Sequence, residues 1–265
     1  MAFNLESITT ERAMKAPRIV LLGVEKIGKT TFAASGGNPI FIPVKGEEGV
    51  DAIQVGKFPT CETINDVMQC LYSLHTGTHN YDRVVIDSAS ALEPIGWIDA
   101  CARNVDKNGN SSPVDSIEKF GGGYGKGYTE SLNIWRRITE ALDILRNDRG
   151  MVSIIIGHVK VKRFDDPNGE SYDQYQFDVH DKISSMLYRW ADCILFANSK
   201  VMVKKEDVGF GKDKARGVDI TGGSRFLYTQ KRPAHPGGGR DPYGKLPYEL
   251  PLDWDTFVQS VSAVS

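Results

Sequence analysis

The stretch that decides the fold is Gly23-Val24-Glu25-Lys26-Ile27-Gly28-Lys29-Thr30, which Thr31 follows. It matches the phosphate-binding pattern G-x-x-x-x-G-K-S/T. Its two glycines let the loop wrap so that backbone N–H groups point at phosphate oxygens, and the helix expected to follow adds the positive end of its dipole. Lys29 is then expected to bridge the outer phosphates, and Thr30 to offer its hydroxyl to a magnesium ion. The stretch through Thr31 therefore predicts a nucleotide site.

Short apolar runs and helical patterns alternate along the chain. Residues 19–22 lead directly into the phosphate loop, as expected of a strand buried on both faces of a parallel sheet. Thr63 and Asp66 form a helix-capping pattern ahead of an apolar stripe. Further strands are predicted over residues 39–43, 84–86, 151–157 and 193–197, with short β-like pieces at 201–204 and 225–229 on either side of a charged, glycine-rich connection. Helices are predicted over residues 29–34, 64–74, 128–146, 183–190 and 254–261, and Gly150 is expected to end the third of them. We therefore expect an α/β fold with a mainly parallel central sheet flanked by helices, followed by a C-terminal antiparallel β extension.

Composition and charge exclude several classes of protein. The chain of 265 residues has a net charge of −2, so any nucleic-acid binding must come from a local basic face. Its four cysteines form no C-x-x-C pair, which argues against a zinc site and a disulfide framework. Charges occur throughout the first sixteen residues, and no run approaches eighteen apolar residues. Neither export nor a membrane span is indicated, and a reducing cytoplasm fits best.

Polar side chains follow three of the predicted strands. Glu47 and Glu48 come shortly after the strand at 39–43, Asp87 ends the next apolar run, and His158 follows the strand after that. Open α/β sheets bind ligands at the carboxyl ends of their strands, so these side chains are expected near the phosphate loop. In phosphate-loop proteins a carboxylate placed like Asp87 orients the magnesium shell. For His158, a structural role as a buried histidine stays open.

Three other segments are basic or rich in glycine. Residues 104–127 lack any helical or strand pattern and are expected to form a long mobile loop. Residues 230–240 form a basic loop. The segment after His158 carries basic residues and then interleaved aromatics, which suits single-stranded nucleic acid but equally an ordinary solvated hairpin. Its candidate side chains are Lys160, Lys162, Arg163, Tyr172 and Tyr175.

Together these features resemble the RecA-like branch of phosphate-loop ATPases, in which an extra strand separates the loop strand from the aspartate strand. The segment Val85-Ile86-Asp87-Ser88-Ala89-Ser90-Ala91-Leu92 is similar to that family's Asp-Ser-x-x-Ala-Leu segment. With Tyr124-Gly125-Lys126-Gly127-Tyr128 and Pro236-Gly237-Gly238-Gly239-Arg240, the chain looks more narrowly like the phage AAA-domain nucleotide-binding proteins of the Sak-type single-strand annealing and recombination group. The resemblance covers about residues 17–257.

This resemblance implies roles for individual residues at the nucleotide. Glu47 would be the general base that orients water toward the terminal phosphate, with Glu48 as the alternative. Thr30 and Asp87 would hold Mg²⁺, and Lys29 the phosphates of ATP. His158 would occupy the sensor position, where RecA more often has glutamine.

The resemblance also implies partners. Residues 104–126 and 161–177 fall where RecA-like proteins keep their two DNA-binding loops, which adds Lys126 to the candidate DNA contacts. Lys231, Arg232 and Arg240 are candidates for a charge donated to a neighbouring subunit's nucleotide, and a plain solvated basic loop explains them equally well. A homo-oligomer on single-stranded DNA is expected, with a single-strand-binding protein as a further partner, in the cytoplasm of a bacterial host if the protein is phage-encoded.

The leading hypothesis is a magnesium-dependent ATPase that binds single-stranded DNA in phage recombination or annealing, with DNA-stimulated hydrolysis. An annealing protein switched by nucleotide, with negligible turnover, is the alternative. A phosphate-loop kinase is weaker because no arginine-rich lid is evident. We expect one RecA-like domain over residues 1–265, with a nucleotide-binding core at 17–200, a β extension and basic loop at 201–250, and a closing helix at 251–265.

Overall fold

A computed structural model describes residues 8, 10, 14–167, 169–207, 213–219 and 222–265, with only the backbone described over 201–207 and 213–219. Most of residues 1–17, which the sequence indicates to be a polar segment ahead of the first strand, and part of the charged connection after residue 204 lie outside this described part. Its helices are α1 (Lys29–Ala34), α2 (Ile64–Thr76), α3 (Ala89–Ala102), α4 (Lys126–Arg149), α5 (Asp181–Trp190) and α6 (Trp254–Val264). Within the described residues, no helix is both long and apolar enough to cross a membrane.

The strands form one large sheet and two separate hairpins. They are β1 (Arg18–Gly23), β2 (Pro39–Pro43), β3 (Gly56–Lys57), β4 (Arg83–Asp87), β5 (Val152–Gly157), β6 (Val159–Phe164), β7 (Tyr172–Phe177), β8 (Cys193–Ser199), β9 (Val201–Asp207), β10 (Asp213–Asp219), β11 (Arg225–Tyr228), β12 (Gly238–Gly239) and β13 (Glu249–Pro251). The central sheet has the order β13-β11-β8-β1-β5-β4-β2-β3, and β12 also pairs with β8. The pairs from β8 to β3 are parallel, whereas β11, β12 and β13 join antiparallel. The predicted fold class is confirmed.

Strand β5 lies between β1, which leads into the phosphate loop, and β4, which ends at Asp87. This is the inserted strand that the resemblance to RecA-like ATPases implies. Because β1, β2, β4 and β5 run in the same direction, their carboxyl ends meet at one edge of the sheet.

The alternation of side chains along β1 explains why its apolar run is continuous. Val20 and Leu22 belong to the core beneath α2, α3, α4 and α5, whereas Ile19 and Leu21 belong to the core on the opposite face with α1 and α6. All four side chains are fully buried. A strand covered on both faces has no solvent-exposed side and therefore shows no polar alternation.

Several predicted helices form with the expected end signals. Thr63 Oγ1 accepts a hydrogen bond from Asp66 N at 3.1 Å, and Asp66 Oδ2 accepts one from Thr63 N at 2.9 Å, which completes the capping box of α2. Helix α4 ends at Gly150, whose φ of 67° lies in the left-handed region that glycine tolerates.

Helix α3 has no counterpart among the predicted elements. Its sequence contains Pro94 and Gly96 and is apolar on most sides, so it lacks the stripe that marks an amphipathic helix. Its buried Glu93 accepts hydrogen bonds from His180 N at 2.8 and 3.0 Å, and burial raises the pKa of that carboxyl to about 7. This contact fixes the start of α5 against α3.

Two expectations about irregular segments need correction. The stretch predicted as a long loop contains a 3₁₀ helix, Ile117–Gly122, and its last two residues already belong to α4. Asn104 holds the stretch together, since it donates to Ser112 O at 2.6 Å and accepts from Gly121 N at 2.7 Å. Among the described residues, the strand predicted from residue 201 pairs with β10 and not with the central sheet, so the extension of that sheet consists of β11, β12 and β13.

Candidate nucleotide site

A cavity of about 420 Å³ lies at the carboxyl edge of the sheet, where β1, β2, β4 and β5 end. The phosphate loop from Glu25 to Thr31 lines one side of it. Glu47, Asp87, His158 and Arg225 also line the cavity. The structure thus brings together four predicted site elements that are far apart in sequence: the loop, Glu47, Asp87 and His158.

The phosphate loop needs its two glycines for different reasons. Gly28 has a φ of 106°, in the left-handed region, and directly precedes α1. Gly23 ends β1 so close to β8 that a Cβ there would lie 2.5 Å from Ala197 O. The first glycine therefore permits sheet packing, and the second permits the turn around the phosphates.

Lys29 folds back onto its own loop. Its Nζ donates to the carbonyl oxygens of Gly23 and Val24, each at 2.9 Å. Burial lowers the pKa of Lys29, and the negative charges of Asp87 and Glu47 partly oppose that shift. A phosphate group would offer this ammonium a better partner than two neutral carbonyls.

Thr30 and Asp87 form the pair predicted to hold magnesium. Thr30 Oγ1 donates to Asp87 Oδ2 at 2.8 Å, and Asp87 is only 3% exposed. Burial raises the pKa of Asp87 to about 6, although the Thr30 hydrogen bond and the charge of Lys29 act against it. A hydroxyl and a buried carboxylate beside a phosphate cradle are oxygen donors of the kind that Mg²⁺ prefers, so these residues fit that ion.

Glu47 faces the cavity, whereas Glu48 is exposed and does not line it. Glu47 Oε1 accepts hydrogen bonds from Ser88 Oγ at 2.6 Å and from His158 Nε2 at 2.7 Å. Burial raises the pKa of Glu47, but these two hydrogen bonds and the charge of Lys29 outweigh it, so the pKa lies below its usual value. Glu47 is therefore a charged, oriented carboxylate.

Backbone hydrogen bonds fix the loop that carries Glu47. Val44 N donates to Asp87 O at 2.8 Å, and Glu47 N donates to Val44 O at 3.0 Å. Lys45 N donates to Cys61 O at 2.9 Å, which anchors the other side of the loop. Strand β2 therefore delivers Glu47 next to the end of β4, and the two carboxylates share one cavity.

Arg225 was not among the predicted site residues. It begins β11, pairs with Ser199 of β8, and lines the cavity beside Gly28 of the phosphate loop. The apolar residues that follow Arg225 predict a strand. They do not indicate that this strand begins next to Gly28, so no signal in the sequence pointed to Arg225.

Strands β6 and β7 form an antiparallel hairpin that continues directly from His158. Its three basic side chains each lie within 4 Å of an aspartate: Lys160 Nζ and Asp178 at 3.1 Å, Lys162 Nζ and Asp181 at 3.5 Å, and Arg163 Nε and Asp165 at 3.8 Å. The hairpin is thus less positive than its basic residues alone indicate.

The two tyrosines of the hairpin differ in their surroundings. The ring of Tyr172 lies 5.4 Å from that of Phe164 on the same hairpin, and Tyr175 packs 5.3 Å from Phe196 of the core. Tyr175 also lines a second cavity, of about 470 Å³, together with Lys162 and Lys231.

The remaining basic candidates lie in three different settings. Lys126 donates to Gly121 O at 3.0 Å at the start of α4. The guanidinium of Arg232 lies 4.2 Å above the ring of Tyr248. Arg240 Nη1 binds Asp192 Oδ1 at 3.0 Å, an ion pair within its own chain at the amino end of β8. The structure therefore places Arg240 away from the nucleotide edge of its own subunit.

The geometry defines the class of the protein. A phosphate loop at the end of β1, a carboxylate at the end of β4 and an inserted strand between them make it a phosphate-loop ATPase with the RecA-like strand order. The chain belongs to the AAA domain family, whose model matches residues 15–240.

The chain also has a distant likeness among solved structures. A solved structure described as "Crystal structure of the RadB recombinase" is 14% identical over 81% of each chain, with a TM-score of 0.40. A comparison with curated proteins found no match.

Proposed function

We propose that the protein is a magnesium-dependent ATPase that binds single-stranded DNA and works as an oligomer in phage DNA recombination or annealing. The observation that carries this proposal is the hydrogen bond of 2.7 Å between Glu47 Oε1 and His158 Nε2. It connects the candidate general base to the residue from which the β6–β7 hairpin begins.

Each of the functional side chains that line the cavity has its own role in phosphate hydrolysis. Lys29 leaves the carbonyls of Gly23 and Val24 and binds the outer phosphates. Thr30 and Asp87 would hold a magnesium ion, which when bound would neutralise charge on the phosphate oxygens. Glu47, held in orientation by Ser88 and His158, positions a water molecule and accepts its proton.

DNA bound to the hairpin would act on the carboxylate of Glu47 through His158. Asp178 N donates to His158 O at 2.9 Å, and Val159 pairs with Phe177, so the base of the hairpin is bonded directly to His158. A strand of DNA that shifts the hairpin would change the hydrogen bond from His158 to Glu47. We therefore expect hydrolysis to respond to single-stranded DNA.

The ion pairs of the hairpin are compatible with this role. Exposed pairs such as Lys160 with Asp178 contribute little to stability, so DNA phosphates can replace the carboxylates. The cavity of about 470 Å³ beside Lys162, Tyr175 and Lys231 offers a partly aromatic, partly basic place for a base and its phosphate.

Assembly would complete the site from a neighbouring subunit. Lys231 and Arg232 are exposed on the basic loop and remain candidates for a charge donated across an interface. Arg240 is less suited because Asp192 already holds it. A single-strand-binding protein as a partner is supported only by the family resemblance.

Phosphate release measured with and without single-stranded DNA tests the proposal. We expect magnesium-dependent release that rises when DNA is added. If nucleotide changes DNA annealing while release stays at background, the protein is instead an annealing protein switched by nucleotide. The lowered pKa of Glu47 makes its carboxylate a weaker base, and this is the observation that favours the second candidate.

A further inference from the structure

We infer that Arg225 binds the phosphates of the nucleotide held by its own subunit, as a ligand supplied by the C-terminal antiparallel strands. The inference rests on nucleotide binding at the phosphate loop, which belongs to the proposed function. It adds a residue outside the phosphate loop and outside the ends of the parallel strands.

The position of the guanidinium is the first argument. Arg225 Nη1 lies 2.9 Å from the point that a Cβ on Gly28 would occupy, and Arg225 lines the same cavity as Lys29 and Thr30. Gly28 directly precedes α1, where the backbone N–H groups of a phosphate loop turn toward their anion. The guanidinium therefore lies at the rim of the phosphate cradle.

The backbone of Arg225 is held from two sides. It pairs with Ser199 of β8, and its carbonyl oxygen accepts a hydrogen bond from Leu252 N at 3.0 Å. The side chain itself is exposed. Within the part of the chain that the structure describes, its guanidinium has no hydrogen bond or ion pair, whereas Arg18, Arg103 and Arg240 each bind an aspartate. A fixed backbone thus presents a free guanidinium to the cavity.

The charges lining the cavity supply the second argument. Three acidic residues line it, Glu25, Glu47 and Asp87, against the two lysines Lys26 and Lys29, so without Arg225 the acidic side chains would be in excess where an anion has to bind. A guanidinium offers planar, paired donors that match two phosphate oxygens at once. Arg225 balances the third acidic side chain and adds a positive charge next to Gly28, without requiring a second subunit.

Competition against a fluorescent ADP tests the inference, with ATP and inorganic tripolyphosphate as competitors. We expect Arg225→Ala to weaken both competitors about 10-fold, as for the loss of a hydrogen bond to a charged group, and Arg225→Lys to recover part of the loss. The matched control is Arg137→Ala, which removes an exposed arginine of α4 that does not line the cavity. We expect it to bind both competitors like the wild type.

Three outcomes decide the matter, provided that the Arg225 variants melt at the wild-type temperature. Unchanged affinity of Arg225→Ala for both competitors overturns the inference. A loss for ATP but not for tripolyphosphate also overturns it, because the guanidinium would then contact the base or sugar. If the wild type itself binds no nucleotide, or Lys29→Ala binds equally well, the proposed function fails instead.

Discussion

The nucleotide edge of the sheet and the β6–β7 hairpin arrange their charges in opposite ways. At the edge, Asp87 is almost fully buried, and Lys29 has two carbonyl partners instead of a carboxylate. On the hairpin, Lys160, Lys162 and Arg163 are exposed, and each lies near an aspartate. Burying charge at the nucleotide edge destabilises the folded state, and a bound ligand would relieve that effect. On the hairpin, the aspartates already neutralise the basic side chains. We therefore expect strong nucleotide binding at the edge of the sheet and weak, salt-sensitive DNA binding at the hairpin.

The largest effect is expected for Lys29→Ala. The change removes the ammonium that would bind the outer phosphates, so affinity for ATP should fall by on the order of 100-fold. Calorimetric titration measures it. Lys119→Ala is the control, because Lys119 is exposed, pairs with Asp115 and does not line the cavity. Nucleotide binding by Lys29→Ala at wild-type strength would contradict the site assignment.

Glu47→Gln should separate binding from hydrolysis. The amide cannot accept the proton of the attacking water, so phosphate release should fall by about 100-fold or more while ATP affinity is kept. Glu48→Gln is the matched control and should hydrolyse ATP normally, since Glu48 is exposed and does not line the cavity. If the two variants exchange these results, Glu48 is the base.

Asp87→Asn should stabilise the protein in the absence of nucleotide and magnesium. Because burial raises the pKa of Asp87 to about 6 from 3.8, its ionised form weakens the folded state at every pH above about 6, and the penalty disappears as the pH falls toward 4. The asparagine carries no charge and can still accept from Thr30. At pH 8 we expect a gain of about 1–3 kcal/mol in the free energy of unfolding.

Denaturant unfolding of both proteins at pH 8 and at pH 4 measures that gain, which should shrink at the lower pH. The same pKa predicts that the wild type binds Mg²⁺ with nucleotide more weakly below about pH 6. Equal stability of the two proteins at pH 8 would show that Asp87 is not strained by burial.

The smallest effect is expected on the hairpin. Changing Lys160, Lys162 and Arg163 together to alanine should weaken single-stranded DNA binding about 10-fold at low salt and flatten its salt dependence by about two units of slope. Asp178→Asn together with Asp181→Asn should strengthen DNA binding and steepen its salt dependence, since it frees Lys160 and Lys162 from their ion pairs. Fluorescence anisotropy over a salt series measures both. If DNA affinity and its salt dependence are unchanged in all of these variants, the DNA binds at another surface.

Sequence patterns predicted the elements that carry their own local signal. The capping box at Thr63, the buried run before Gly23 and the glycine that closes α4 depend on neighbouring residues, and all appear as expected. Helix α3 had no such signal, because Pro94 and Gly96 interrupt a segment that is apolar on most sides. Burial between the sheet and α4 stabilises it instead, and that contact joins segments distant in sequence.

The sequence by itself determined the phosphate loop and the polar residues that end the parallel strands. A parallel sheet brings those strand ends to one edge whatever the details of packing, so a residue's place in the chain was enough to predict its place in the fold. Only the tertiary structure decided that Glu47 rather than Glu48 faces the cavity, that aspartates neutralise the hairpin, and that Arg225 reaches Gly28. Each of these depends on side chains meeting across separate elements, and no local pattern in the chain records such a meeting.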